Sequence, residues 1–352
     1  VKPTLLVISP VHPPDDPRIR HKLIRTLQDD WEITFVGCGR GPFDQSGLTW
    51  RELPGGRIRR SLRASWMVVR GDYDLASLHD PEMLPAAVLA SLFNRRIVFD
   101  VHENIPQALA ARDWMPRLLL RPAMWVASRL LRLAERRTAI TLAEEGYSDL
   151  FARTHPVFPN FLAGDPPPPQ PPDPEVGLLY LGDVTEARGL VVAVEAARAA
   201  GIEVMTLLGR CRAEFKEQLI HLAGGDLELR FHGFVTVDRA LDTAARAVVG
   251  LSPLLDTPNY THSLPTKVLE YLAVGLPTLA SDLPGTRAVL EGKPGARLVP
   301  PGDRAAWTEA IAAAYSDPGL RRAAAAGAPA VRAAYVWPAA AVREFYADLI
   351  SP

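Results

Sequence analysis

A run from Ser263 to Pro277, Ser-Leu-Pro-Thr-Lys-Val-Leu-Glu-Tyr-Leu-Ala-Val-Gly-Leu-Pro, places a lysine and a glutamate three residues apart where a helix should begin. The preceding loop, residues 257–265, ends in proline, so the helix is predicted to start near Thr266. The first N–H groups of a helix have no partner within it and favour an anion. Lys267 sits in that first turn and can reach the same anion. Glu270 lies on the same helix face, where a carboxylate can accept both hydroxyls of a ribose. Gly275-Leu276-Pro277 ends the helix. Seen alone, Lys267 and Glu270 also fit a common surface ion pair.

A second run has the same logic. Leu179 to Leu181 reads as a strand, Gly182 as a turn, and Arg188-Gly189-Leu190 as a helix start. Gly182 lets a ligand approach the backbone. Arg188 adds a fork of donors that suits a diphosphate. A third candidate, Asp15-Asp16-Pro17-Arg18, follows the first predicted strand. Asp16 and Arg18 there are expected to bind an acceptor, although Asp16 before Pro17 also fits a helix cap. Asp72-Tyr73-Asp74 has the spacing of a metal-binding pair but precedes a strand, so it reads as a turn, and no metal is expected.

These residues need elements to hold them. Thr4–Ser9, Ile33–Gly37, Leu75–Leu78, Arg96–Val101 and Ala139–Leu142 are short apolar runs separated by helical patterns. Such alternation predicts a doubly wound parallel sheet. A final short strand is expected at Val157–Asn160. The stretch Pro166–Pro174 holds seven prolines and is expected to be a polyproline-like linker. The alternation then restarts at Gly177. The predicted fold class is α/β, with two Rossmann-like lobes facing across a cleft. The expected domains are 1–165, a linker at 166–175, a second domain at 176–336, and a terminal helix, 337–352, that returns to the first domain.

The 352 residues carry a net charge of −1, which gives no reason to expect a nucleic-acid partner. Two distant cysteines, Cys38 and Cys211, argue against a disulfide framework or zinc site. The opening residues lack the pattern of a signal peptide, and no long apolar span occurs, so a cytoplasmic location is expected. Two arginine-rich, tryptophan-containing stretches, Arg57–Arg70 and Trp114–Arg137, fit either ordinary amphipathic helices or a peripheral contact with the inner membrane face.

The motifs taken in order resemble family 4 of the GT-B retaining glycosyltransferases, also called glycosyl transferases group 1. The Pro-x-Lys-x-x-Glu-Tyr-x-x-x-Gly-x-Pro run is similar to that family's donor motif. Asp100-Val101-His102-Glu103 is similar to its Asp-x-His-Glu segment, and Asp74–Glu82 to the strand and loop before it. Leu207-Leu208-Gly209 and Phe231–Val235 match strand ends that flank the nucleotide base, and Pro159-Asn160 matches the end of the first lobe. Where the family has the first glutamate of Glu-x7-Glu, this chain has His262, and Asp183 stands where the family often has arginine.

The resemblance implies a metal-independent enzyme that moves a sugar from a nucleoside diphosphate sugar to an acceptor hydroxyl with retained configuration. His102, Arg188 and Lys267 would be catalytic. Gly182, Gly209, Phe234, Val235, His262, Ser263, Leu264, Thr266 and Glu270 would bind the donor. Asp80 and Glu103 would join Asp16 and Arg18 on the acceptor side. No cofactor is implied beyond the nucleotide-sugar substrate. The acceptor would be a glycolipid, a polysaccharide or a small natural product, in bacterial carbohydrate or natural-product biosynthesis. A nucleotide-sugar epimerase, or a non-catalytic nucleotide-sugar-binding protein of the same architecture, is the alternative.

Overall fold

The computed structural model describes residues 1–39, 44–45, 47–102, 105, 117–258 and 260–351. The chain forms two compact units, Val1–Asn160 with Trp337–Pro352, and Phe161–Val336.

In unit 1 the strands are β1 (Thr4–Ser9), β2 (Glu32–Gly37), β3 (Asp44–Gln45), β4 (Leu48–Glu52), β5 (Leu75–Leu78), β6 (Ile97–Val101) and β7 (Ala139–Leu142). They lie in the order β3-β4-β2-β1-β5-β6-β7. All pair in parallel except the short β3, which runs antiparallel to β4. Both faces of this sheet are covered. Leu6 and Ile8 enter one core with Ala76, Leu78 and Phe99, while Leu5 and Val7 enter another with Ile33, Phe35 and Val98. Burial on both faces accounts for near-continuous apolar strands.

A π-helical segment, Ile19–Ile24, runs into α1 (Arg25–Leu27). Helices α2 (Arg57–Arg70), α3 (Leu84–Leu92) and α4 (Arg117–Arg137) follow in unit 1.

Unit 2 has the strands β8 (Leu178–Leu181), β9 (Val204–Leu208), β10 (Glu228–Gly233), β11 (Val249–Ser252), β12 (Thr278–Ser281) and β13 (Ala296–Val299). They form one parallel sheet in the order β10-β9-β8-β11-β12-β13. Its helices are α5 (Leu190–Ala199), α6 (Ala213–Ala223), α7 (Val237–Arg246), α8 (Thr266–Ala273), α9 (Pro284–Leu290), α10 (Arg304–Tyr315) and α11 (Pro318–Ala334). The last helix, α12 (Ala339–Asp348), belongs to unit 1, where Trp337, Val342 and Tyr346 sit in the core with Trp31 and Phe35.

Several expectations need correction. The proline-rich stretch is not a linker between the units. The units part at Asn160 and Phe161, and the stretch packs within unit 2. Prolines donate no N–H, but the carbonyls of the stretch remain acceptors, and arginines take two of them: Arg332 Nη2 donates to Pro167 O at 2.7 Å, and Arg321 Nη2 to Gln170 O at 2.9 Å. Residues 157–160 make only one bridge, Val157 to Leu142, so no strand forms there. The segment after β7 is a 3-10 turn, Glu145–Leu150.

Candidate active site

Among the described residues, two clusters of candidate functional side chains occur, one in each unit, at the carboxyl ends of parallel strands. Such ends are where open α/β sheets bind ligands.

In unit 2, β8 is followed by Gly182, whose φ of +114° few other residues adopt. A Cβ on Gly182 would lie 2.8 Å from Arg188 Nη1 and 3.4 Å from Lys267 Nζ. The two cations therefore converge on one stretch of bare backbone. Gly209, at the end of β9, packs against it so closely that a Cβ would stand 1.9 Å from Gly182 O. Tyr271 fixes α8 to the strands: its hydroxyl accepts from Leu181 N at 2.8 Å.

Lys267 is buried, and its Nζ has no hydrogen-bond partner among the described residues. It stands 3.9 Å from the centre of the Tyr180 ring. Burial, with Arg188 adding to it, holds its pKa well below the usual lysine value against the pull of Glu270 and Asp183. Burial lowers the Arg188 pKa, but the neighbouring Tyr180 and Tyr260 hydroxyls outweigh it and raise it above the usual arginine value. Burial pushes the Tyr180 hydroxyl up to about 12, so it stays neutral. An ammonium in such a place is stabilised by an incoming anion.

The other residues expected at the donor site frame this pair. Thr266 opens α8, which has no side-chain cap, and Glu270 lies on it one turn later. His262 and Ser263 lie against Gly285, where a Cβ would stand 2.6 Å from His262 C and 2.7 Å from Ser263 O. Leu264 packs beside the core containing Val268 and Leu272. Phe234 is exposed, with the Arg210 guanidinium 5.3 Å from its ring centre. Val235 is partly buried beside Leu241.

In unit 1, Asp100 ends β6 and is nearly enclosed. Arg18 donates to both its oxygens, Nε to Oδ2 at 2.9 Å and Nη2 to Oδ1 at 2.8 Å. Thr141 Oγ1 donates to Oδ1 at 2.8 Å. His102 Nε2 lies 2.8 Å from Oδ2 and His79 Nδ1 3.3 Å away. Burial raises the pKa of Asp100, but Arg18 and His102 outweigh it and hold the carboxyl well below the usual range. An ionised carboxylate only accepts, so Nε2 of His102 carries the proton. Burial lowers the His102 pKa despite Asp100, leaving a neutral imidazole with its lone pair on Nδ1.

A second carboxylate–imidazole pair stands beside the first. Asp80, buried at the end of β5, accepts from Ser9 Oγ at 2.8 Å and Val11 N at 3.0 Å. Its Oδ1 lies 2.6 Å from His12 Nδ1. Burial raises the Asp80 pKa, but His12, Ser9 and Val11 together bring it below the usual range. The rings of His12 and His102 are 5.8 Å apart.

Three expectations for acceptor binding change accordingly. Arg18 is buried, and both edges of its guanidinium are taken, by Asp100 and by Phe158 O at 2.8 Å. It holds the site together and is not presented to a ligand. Asp16 accepts from Arg18 N and Ile19 N, so it caps its own turn. Asp80 spends its oxygens on His12 and the β1 loop. Glu103 lies outside the described residues. Sequence reasoning missed His12 and His79. The available signal was that His79 directly follows a predicted strand and His12 lies three residues beyond another.

His79, Asp100 and His102 could geometrically hold a metal ion. The Arg18 guanidinium already neutralises Asp100, which disfavours a second cation there.

The sequence profile of glycosyl transferases group 1 matches residues 175–317. Over 289 residues the chain is 31% identical to a phosphatidyl-myo-inositol mannosyltransferase of Mycobacterium leprae, covering 80% of this chain and 73% of that one. The chain belongs to the group 1 glycosyltransferases and is a glycosyltransferase of GT-B fold. Solved structures agree on the fold. Sucrose-phosphate synthase from Thermosynechococcus elongatus matches with a TM-score of 0.75 at 15% identity over 99% of both chains. Anabaena HepE, solved with UDP-glucose, matches with a TM-score of 0.71 at 14% identity over 98% of both chains.

Proposed function

We propose that the protein transfers a sugar from a nucleoside diphosphate sugar to an acceptor hydroxyl, retaining configuration at the anomeric carbon and using no metal ion. The observation that carries this reading is the buried Lys267 side chain beside Arg188 over Gly182, its Nζ without a hydrogen-bond partner among the described residues. Two fixed cations at a strand end are matched to the charge of a diphosphate leaving group. The relative named as a phosphatidyl-myo-inositol mannosyltransferase and the neighbour solved with UDP-glucose support a donor of this class.

In this reading unit 2 binds the donor and unit 1 the acceptor. Arg188, Lys267 and the N–H groups at Thr266 hold the diphosphate. Glu270 accepts the ribose hydroxyls, and Phe234 and Val235 flank the base. His262, Ser263 and Leu264 border the sugar. The bond between the anomeric carbon and the phosphate oxygen breaks with its electron pair leaving on the diphosphate. The acceptor oxygen bonds to the same carbon on the same face, and its proton passes to a donor phosphate oxygen. His102, neutral and held by Asp100, offers Nδ1 as an acceptor to a substrate hydroxyl. His12, held by Asp80, stands beside it.

Calorimetric titration with UDP, GDP, dTDP and ADP tests the donor site. Binding of at least one, abolished or cut at least tenfold by Arg188→Ala, is expected. No binding, or equal binding by the variant, would sink the donor-site claim. Turnover that survives EDTA and gives a product of unchanged anomeric configuration by NMR is expected. Loss on chelation, or inversion, overturns those two parts separately.

A further inference from the structure

Unit 1 presents an apolar and basic helical surface that its core does not use. Helix α2 buries Ala64 and Val68 against the sheet. On its opposite side Ile58, Leu62 and Trp66 are 78%, 66% and 68% exposed. Their spacing of four makes one continuous stripe. Arg59, Arg63 and Arg70 form a second stripe alongside it, and all three are exposed. The helix has five arginines and no acidic residue.

The neighbouring helices extend the pattern. Both α2 and α4 pack against α3, and all three share one core cluster beneath. At the end of α3, Leu92 and Phe93 are exposed. On α4, Trp125 is exposed with Arg129 stacked 5.1 Å from its ring centre, and Arg121, Arg132, Arg136 and Arg137 are also exposed. Its one carboxylate, Glu135, is buried and accepts from Ala152 N and Arg153 N, so it does not offset the arginines.

We propose that this three-helix face docks on an anionic lipid bilayer. A water-facing helix has no use for a stripe of isoleucine, leucine and tryptophan, and large exposed apolar patches mark interaction sites. A protein partner would be expected to bring matching carboxylates into register with individual arginines. Here the arginines flank the apolar stripe along its length, which suits a laterally uniform negative surface. Tryptophan and arginine side chains suit the boundary, since each has an apolar body and a polar end.

Sedimentation of the full chain with vesicles tests the assignment. It is expected to bind vesicles of mixed phosphatidylcholine and phosphatidylglycerol and not vesicles of phosphatidylcholine alone. Salt near 1 M, where screening acts within about 3 Å, should release it. Arg59→Ser and Arg63→Ser should each weaken binding about fivefold. Leu62→Ser with Trp66→Ser should weaken it at least tenfold, with thermal stability unchanged because these side chains are exposed. The proposal fails if the protein ignores anionic vesicles, if it binds neutral ones equally, or if these variants bind as well as the parent. It also fails if the same substitutions instead dissolve a dimer seen by analytical ultracentrifugation, which would assign the face to a second copy of the chain.

Discussion

Arg18 and Asp100 form a two-point ion pair inside unit 1, with Nε to Oδ2 at 2.9 Å and Nη2 to Oδ1 at 2.8 Å, although 82 residues separate them. The pair joins the turn after β1 to the end of β6 and orients His102. Removing one partner leaves a buried charge uncompensated. Arg18→Met should therefore cost about 3–5 kcal/mol by urea unfolding. The double variant Arg18→Met, Asp100→Asn should recover part of that loss. A double variant no more stable than Arg18→Met would show that the buried charge is not the cause.

The same pair makes unit 1 sensitive to acid. Asp100 titrates well below the usual aspartate range, so its contribution is complete above that range and is lost as pH falls through the lowered value. The pKa of His102 is also lowered, so the unfolded chain takes up its proton first as pH drops below about 6.5. Stability should therefore fall from pH 7.5 to pH 5. Differential scanning calorimetry of His102→Asn should give a shallower slope over that interval, and an unchanged slope would contradict the assignment.

Lys267 should behave differently from an ordinary binding lysine. Its ammonium is buried and disfavoured in the free protein. Lys267→Met removes that cost, so the free protein should be as stable as the parent or more so. Nucleotide affinity should nonetheless fall roughly 10–100-fold, the loss of a charge-assisted contact. Binding a diphosphate raises the lysine pKa, so proton uptake on binding should appear once the pH exceeds the lowered value of the free protein. Affinity should then weaken as pH rises through the lowered value of the free protein. Calorimetry in buffers of different ionisation enthalpy reads this uptake, and its absence would place the diphosphate elsewhere.

Much of this was legible in the residues. The Lys267–Glu270 spacing, the Gly182 turn and the apolar strands could be read because each follows from local geometry: helix period, positive φ and two-sided burial. Other features were not. Asp16 and Arg18 were expected to meet a ligand because they follow a strand, and Asp80 because the family resemblance implied it. Their partners, Asp100, Phe158 and His12, are set by tertiary packing, which no local pattern encodes. The prolines of 166–174 misled because composition alone does not reveal that Arg321 and Arg332 will bind the Gln170 and Pro167 carbonyls. Strand β13 and helix α11 were missed. The alanine-rich α11 carries Pro329 within it and offers only a weak apolar period.

Gly182 gives the sharpest steric test. Gly182→Ala places a methyl 2.8 Å from Arg188 Nη1 at a φ of +114°. A cost of about 1–3 kcal/mol in stability is expected from the backbone alone. Nucleotide binding should fall further than stability does, because the methyl occupies the space between the two cations. Parent-like binding of UDP or its analogues by a folded Gly182→Ala protein would count against the proposed site.

Unit 1 is interrupted in sequence by the whole of unit 2. The two ends of unit 2 meet, with Leu162 N donating to Tyr335 O at 2.9 Å. The core of unit 1 lacks Trp337, Val342 and Tyr346 until residues beyond unit 2 have been made. At about 5–20 residues per second, synthesis of unit 2 takes roughly ten seconds or more. Throughout that interval Trp31 lacks the Tyr346 ring that meets it edge-on at 6.4 Å. The part of the chain translated earliest can therefore complete its core only after unit 2 has been made.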